Sequence, residues 1–295
     1  MDQCLRLRES CRQCGHHGKG AAKDSPPPNE GSDMTAPALI LLAHGSSQPA
    51  MTSTLHQLRI EMQQARPELN VVLAFLDHCP PSGPAVVSSL VARGVTEMVF
   101  VPLDVTHAVE VNEQATQMLD RVRAAHPQVA MTMARPLGPA TDLLNVLDVR
   151  LRESLRQNHV VELDALVLSA AEAGDTRGNA LIARRARQWA AHHKLPCVVA
   201  FHDGSGTGVA HAVATLRAQG RRHIAVGSFY ISGDENYQSM RELALAAGVK
   251  SVSAPMGSHE FILDLMMARY VFAAMELLDA PMPAEQASED AGHAM

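Results

Sequence analysis

The chain has 295 residues, a formal net charge of −6, and 46% apolar residues with few aromatics. That length supports two domains of ordinary size, each able to bury its own core. The charge is mild and dispersed, with no Lys/Arg stripe interleaved with aromatics, which argues against a nucleic-acid binder; no apolar run approaches the ~18 residues of a membrane span.

Residues 1–37 stand apart. CLRLRESCRQCGHHGKG is followed by KDSPPPNEGSD, a Pro/Gly/Ser/Asp stretch that reads as a disordered linker. No apolar core of a secretory signal is present. Three of the five cysteines fall in the first fourteen residues, which is no disulfide framework, so a reduced cytoplasmic setting is expected. Cys11-x-x-Cys14, with His16 and His17 behind it, is half of a zinc-type pattern.

From Ala38 the pattern alternates between apolar strands and amphipathic helices. Ala38–Ala43 is the first strand, and Leu55, Leu58, Met62 and Ala65 mark a helical face. Residues 70–76, 95–103 and 129–134 are further strands. Helices lie between them and after the last, where Leu144, Leu147, Leu151 and Leu155 close the half. Near-continuous apolar strands alternating with helices indicate parallel sheet covered on both faces.

The second half repeats the plan. ALVLSA, VVAFHDG, HIAVGSFYI and SVSAP are its strands, and PLGPATDLLNVLDVRL at 136–151 matches PMGSHEFILDLMMARY at 255–270. VPLDVTHAVEVNEQ at 101–114 likewise matches VGSFYISGDENYQ at 226–238. This is a tandem duplication of an α/β unit.

In such sheets ligands bind outside the carboxyl ends of the strands. The first strand ends at His44-Gly45, the second at Asp77-His78-Cys79, and the third is followed by Asp104, His107 and Glu110. A helix starting near His107 would place His107 and Glu110 on one face, one turn apart. With His44 they would make an N/O donor set for a divalent transition metal. Gly45 allows a sharp turn and close approach of a ligand. A single histidine at a strand end is more often structural, so the weight rests on three strand ends converging. Asp203–Gly208 is glycine-rich, but no lysine follows and no phosphate-loop pattern is present.

LLAHGS at the first strand, AFLDHCPPSGPAVVSSLVARGVTEMVFVPL, and the closing PLGP…LLNVLDVRL together resemble the CbiX/SirB family of class II tetrapyrrole chelatases, over residues 38–278. The resemblance implies an α/β protein of two tandem doubly wound parallel-sheet domains facing a central cleft. Residues 38–158 would carry the active site and 159–278 a degenerate repeat with Ala171-Glu172 in place of His-Gly; 279–295 would be a disordered tail. It implies a lyase-type enzyme that inserts Co²⁺, Fe²⁺ or Ni²⁺ into sirohydrochlorin for cobalamin or sirohaem synthesis. The metal is a substrate and no nucleotide is used. His44 matches the family's metal-binding, proton-accepting histidine. Glu110 aligns with the second histidine, with His107 three residues earlier as the other candidate ligand. Asp77 falls at an acidic position near the cleft, and Arg135 is the candidate rim residue for substrate carboxylates. The expected partners are a sirohydrochlorin-like tetrapyrrole and a metal ion, without nucleic acid or membrane, in a monomer or homodimer. Because Glu110 departs from the family's histidine, a non-catalytic metal or tetrapyrrole carrier is the alternative.

Overall fold

The computed structural model describes residues 36–171, 176–202 and 207–279. The Cys/His segment, Glu172, residues 203–206 and the tail from 280 lie outside the described residues, with the expectations attached to them. The described residues form one compact unit.

The first strand, β1 (Ala38–Ala43), is buried along its whole length. Leu39, Leu41 and Ala43 enter one core, while Ala38, Ile40 and Leu42 enter another; a strand covered on both faces must be apolar at every position. It is followed by α1 (Pro49–Ala65), β2 (Val71–Phe75), α2 (Gly83–Ala92), β3 (Glu97–Pro102), α3 (Glu113–Ala125), β4 (Ala130–Met133) and α4 (Leu143–Gln157). The second half runs β5 (Ala165–Ala171), α5 (Thr176–His193), β6 (Cys197–His202), α6 (Thr207–Ala218), β7 (Ile224–Phe229), α7 (Glu235–Ala246), β8 (Ser251–Val252) and α8 (Glu260–Asp279). Two four-stranded sheets result, ordered β2-β1-β3-β4 and β6-β5-β7-β8, with every pair parallel. The duplicated sequence thus appears as duplicated topology. No helix among the described residues is long and apolar enough to cross a membrane.

The two repeat-equivalent closing helices exchange places. α4, which the apolar pattern assigns to the first half, packs on β7 and β8, and α8 packs on β3 and β4. Polar contacts fix the exchange: the Ser154 hydroxyl donates to the Val252 carbonyl (2.8 Å), and Arg150 donates to the Met256 and Ser258 carbonyls. In the other direction, Arg269 donates to the Leu137 carbonyl and the Tyr270 hydroxyl to that of Pro37. One apolar core, built from α1, α4, α5 and α8, therefore runs through both sheets.

In each sheet the strand order reverses beside the first strand, between β1 and β3 and between β5 and β7. In an open α/β sheet that reversal leaves a crevice at the carboxyl edge. The segments bearing His44 and His107 leave the sheet on either side of the first one.

Candidate functional site

His44 follows the last residue of β1 and is exposed. Its Nδ1 lies 3.3 Å from Asp77 Oδ2, at the end of β2, and the Gly45 N–H donates to Asp77 Oδ1 at 2.6 Å. A carboxylate only accepts, so this contact favours the tautomer with the proton on Nδ1 and the lone pair on Nε2. Burial alone would raise the Asp77 pKa; the Gly45 N–H and the His44 ring outweigh it, and the net shift is downward. Gly45 is needed for a reason the sequence does not disclose. A Cβ there would sit 2.0 Å from the Asp77 carbonyl oxygen, so the close neighbour is the backbone of the segment after β2 and not a ligand.

The second histidine is arranged in the same way. Asp104, just past β3, folds its carboxylate back over the turn. Oδ1 accepts from the N–H and hydroxyl of Thr106 and the N–H of His107, and Oδ2 lies 2.5 Å from His107 Nδ1. Burial opposes ionisation of Asp104, but the His107 ring and these N–H donors prevail and hold its pKa down to about 2.

This turn corrects one expectation. Residues 103–112 are loop, and α3 begins only at Glu113, where the Asn112 side chain caps it by accepting from the Gln114 N–H. His107 and Glu110 are therefore not one helical turn apart. Asp104 competes successfully for the backbone donors a helix would have used. Glu110 is exposed on the loop.

A cleft of about 290 Å³ joins the halves at this edge, lined by His44, Asp104, His107 and Asn112 from the first half and by Ala171, Tyr230, Ser232, Asp234 and Asn236 from the second. Glu110 and Asp77 do not line it. Asp77 stands behind His44 and orients it. Arg135 lies elsewhere, in a small pocket between β4 and α8 shared with Arg269, Phe272 and Glu276.

The residues contributed by the second half are the ones that motif reading of the first half misses. Asp234 caps α7 by accepting from the Tyr237 N–H. Burial pushes its carboxyl up, and the neighbouring charge of Glu235 adds to that against the Tyr237 N–H. The signal lay in the repeat: Asp234-Glu235-Asn236 aligns with Asn112-Glu113-Gln114, so each half sends its helix cap into the cleft. Glu235 spans the halves. Its carboxylate accepts from the Ser46 hydroxyl (2.6 Å), the Ser47 hydroxyl (2.6 Å) and the Ser47 N–H (2.8 Å). Those donors hold its pKa down to about 2. The two serines directly after His44-Gly45 are thus the receiving end of a latch.

Two four-stranded parallel sheets alternating with helices, one per repeat, make a duplicated α/β fold of the chelatase-like kind. Residues 38–154 match the CbiX family model. The sirohydrochlorin chelatase SirB of Bacillus subtilis subspecies spizizenii, solved with cobalt, superposes with a TM-score of 0.66 at 13% identity, covering 81% of this chain and 96% of that one. SirB from Bacillus subtilis with Fe³⁺ gives 0.63 at 15%, with the same coverage. CbiX, the terminal enzyme of siroheme biosynthesis in denitrifying bacteria, gives 0.56 at 16%, covering 80% and 99%. At these identities the superpositions speak for the fold. No curated protein sequence matches the chain.

Proposed function

We propose that the protein is a sirohydrochlorin chelatase that inserts a divalent metal, Co²⁺ or Fe²⁺, into the macrocycle without nucleotide, in the cytoplasm. The observation that carries this reading is the pair of aspartate-oriented histidines, His44 and His107, lining one cleft. Insertion requires loss of two pyrrole N–H protons, and a neutral imidazole beside the macrocycle centre is a suitable base at neutral pH. Imidazole with carboxylate is also a suitable donor set for holding a hydrated divalent ion while its waters are replaced. Asp77 and Asp104 would keep each ring in the tautomer that offers Nε2 and stabilise the imidazolium once it takes a proton. His107, and not Glu110, is the proposed partner of His44.

The metal enters here as substrate, and an open two-histidine site suits delivery better than a closed thiolate cage would. The test mixes purified protein, sirohydrochlorin and Co²⁺ or Fe²⁺ and follows the absorbance of the macrocycle. Insertion should exceed the protein-free rate. His44→Ala should abolish the excess, and His107→Ala should slow insertion far more than Glu110→Gln. A rate equal to the protein-free control would favour the carrier reading. A larger loss from Glu110→Gln would return the second role to the carboxylate.

A further inference from the structure

A second group of metal-capable side chains lies on the other side of the second sheet. α5 ends in His192-His193, four residues before β6 begins, so these rings sit at the sheet edge opposite the cleft. At 18 residues the helix separates them from its cleft end by about 27 Å. Facing them is Asp148, in the second turn of α4 and buried. His193 Nε2 lies 2.7 Å from Asp148 Oδ1, and His192 Nε2 lies 3.6 Å from Oδ2. One donor atom from each of the three residues falls within 4.8 Å of the other two.

We infer that Asp148, His192 and His193 form a binding site for a divalent transition-metal ion of the Co²⁺, Ni²⁺ or Zn²⁺ kind. Two imidazoles and one carboxylate are the donor set such ions prefer over Mg²⁺ or Ca²⁺. The carboxylate is already aimed. The Trp189 indole, itself buried, donates to Asp148 Oδ1 at 2.5 Å. An indole N–H can only donate, so it cannot ligate and instead plays the orienting part that supports metal ligands elsewhere. The rings are placed to close around an ion, with His192 and His193 edge to face at a centroid separation of 4.9 Å. They occupy the last turn of α5, where the helix dipole favours a cation. His193 is half-buried, while the His192 side chain is 63% exposed. The ion would therefore have an entry path and room to keep water as a further ligand. Because α4 arrives from the first half of the sequence and α5 from the second, a bound ion would pin the exchanged helix to its new sheet. This site rests on none of the cleft residues, so its failure leaves the chelatase reading untouched.

The experiment uses the full chain without an affinity tag, carrying His44→Ala and His107→Ala to silence the cleft, and titrates Co²⁺ with its visible ligand-field absorption as the readout. Bound metal is counted in parallel by equilibrium dialysis. The proposal expects saturable binding that weakens at least tenfold when His192→Ala is added and is lost with His192→Ala and His193→Ala together. His192 is exposed, so its replacement leaves the fold intact, and far-ultraviolet circular dichroism checks this. Zn²⁺ should raise the melting temperature of the parent, less so that of the His192→Ala protein, and not that of the protein carrying His192→Ala and His193→Ala together. Absence of saturable binding in the cleft-silenced chain, or binding unchanged by the two added substitutions, would overturn the site.

Discussion

Asp77 and Asp104 do the same job for two histidines that come from different strands. Each carboxylate takes a ring Nδ1 and at least one backbone N–H, so each imidazole is fixed in orientation and tautomer before any substrate arrives. Loss of such an orienting partner typically costs a metal site about 10–100-fold in affinity or activity. Asp77→Asn keeps the size of the side chain but removes its charge, and its amide can present a donor to Nδ1. The expected result is a loss of insertion rate within that range, appearing in kcat more than in KM for sirohydrochlorin, with a raised optimum for metal concentration. Unchanged kcat would show that Asp77 does not position His44. His44 was legible in the sequence because it interrupts an apolar strand at its carboxyl end. The part played by Gly45 was not, because the atom it must clear is the Asp77 carbonyl in the segment after β2, 32 residues away.

At the scale of elements, the loop after β1 and the first turn of α7 meet across the cleft through Ser46, Ser47 and Glu235. A cleft of about 290 Å³ is at the lower limit of pockets for drug-sized ligands, which run from about 300 to 1,000 Å³. The tetrapyrrole of the proposed function is larger than such ligands, so on that reading the latch would have to open to admit it. Glu235→Ala should therefore speed hydrogen exchange at the Ser47 amide by about tenfold, the loss of a charge-assisted bond discounted for exposure. Peptide-level exchange measured by mass spectrometry reads this directly, and unaltered exchange would show that the contact does not hold the halves. The pH dependence follows from the depressed pKa of Glu235. A carboxylate held below its ordinary value stabilises the closed form above that ordinary pKa and loses the effect as pH falls through its depressed one. The latch should be intact at neutral pH and release as acid takes the group from its ordinary 4.5 toward about 2. The helix expected over His107 and Glu110 failed for an equally local reason. Periodicity does not register that Asp104 captures the N–H groups of the next turn, and Asn112 is the cap that the backbone uses instead.

For the whole molecule, the strand and helix order and the duplication could be read from the chain, whereas the exchange of α4 and α8 could not. Leu144, Leu147, Leu151 and Leu155 announce an apolar helical face, of which Leu147 and Leu151 are buried beside Leu143 and Val146, but an apolar stripe does not say which of two equivalent sheets it will cover. The repeat makes the alternatives nearly symmetric, and the choice is made by contacts between distant residues, such as Arg150 with the carbonyls of Met256 and Ser258. The consequence concerns cooperativity. In residues 38–158 expressed alone, β3 and β4 would lack the cover of α8, whose Ile262, Met266, Tyr270 and Ala273 are almost completely buried. Burying a large apolar side chain contributes about 1.5–3 kcal/mol, so uncovering this face and stranding α4 removes stabilisation comparable to the roughly 5–15 kcal/mol that holds an ordinary domain together. The fragment should show no cooperative thermal transition, while the full chain should melt in one calorimetric step with calorimetric and van't Hoff enthalpies in agreement. Mixing fragment 38–158 with fragment 159–279 should restore a transition, because each carries the closing helix the other sheet needs. Independent cooperative melting of either fragment would mean that the exchanged helices are dispensable covers and that each sheet holds its own core.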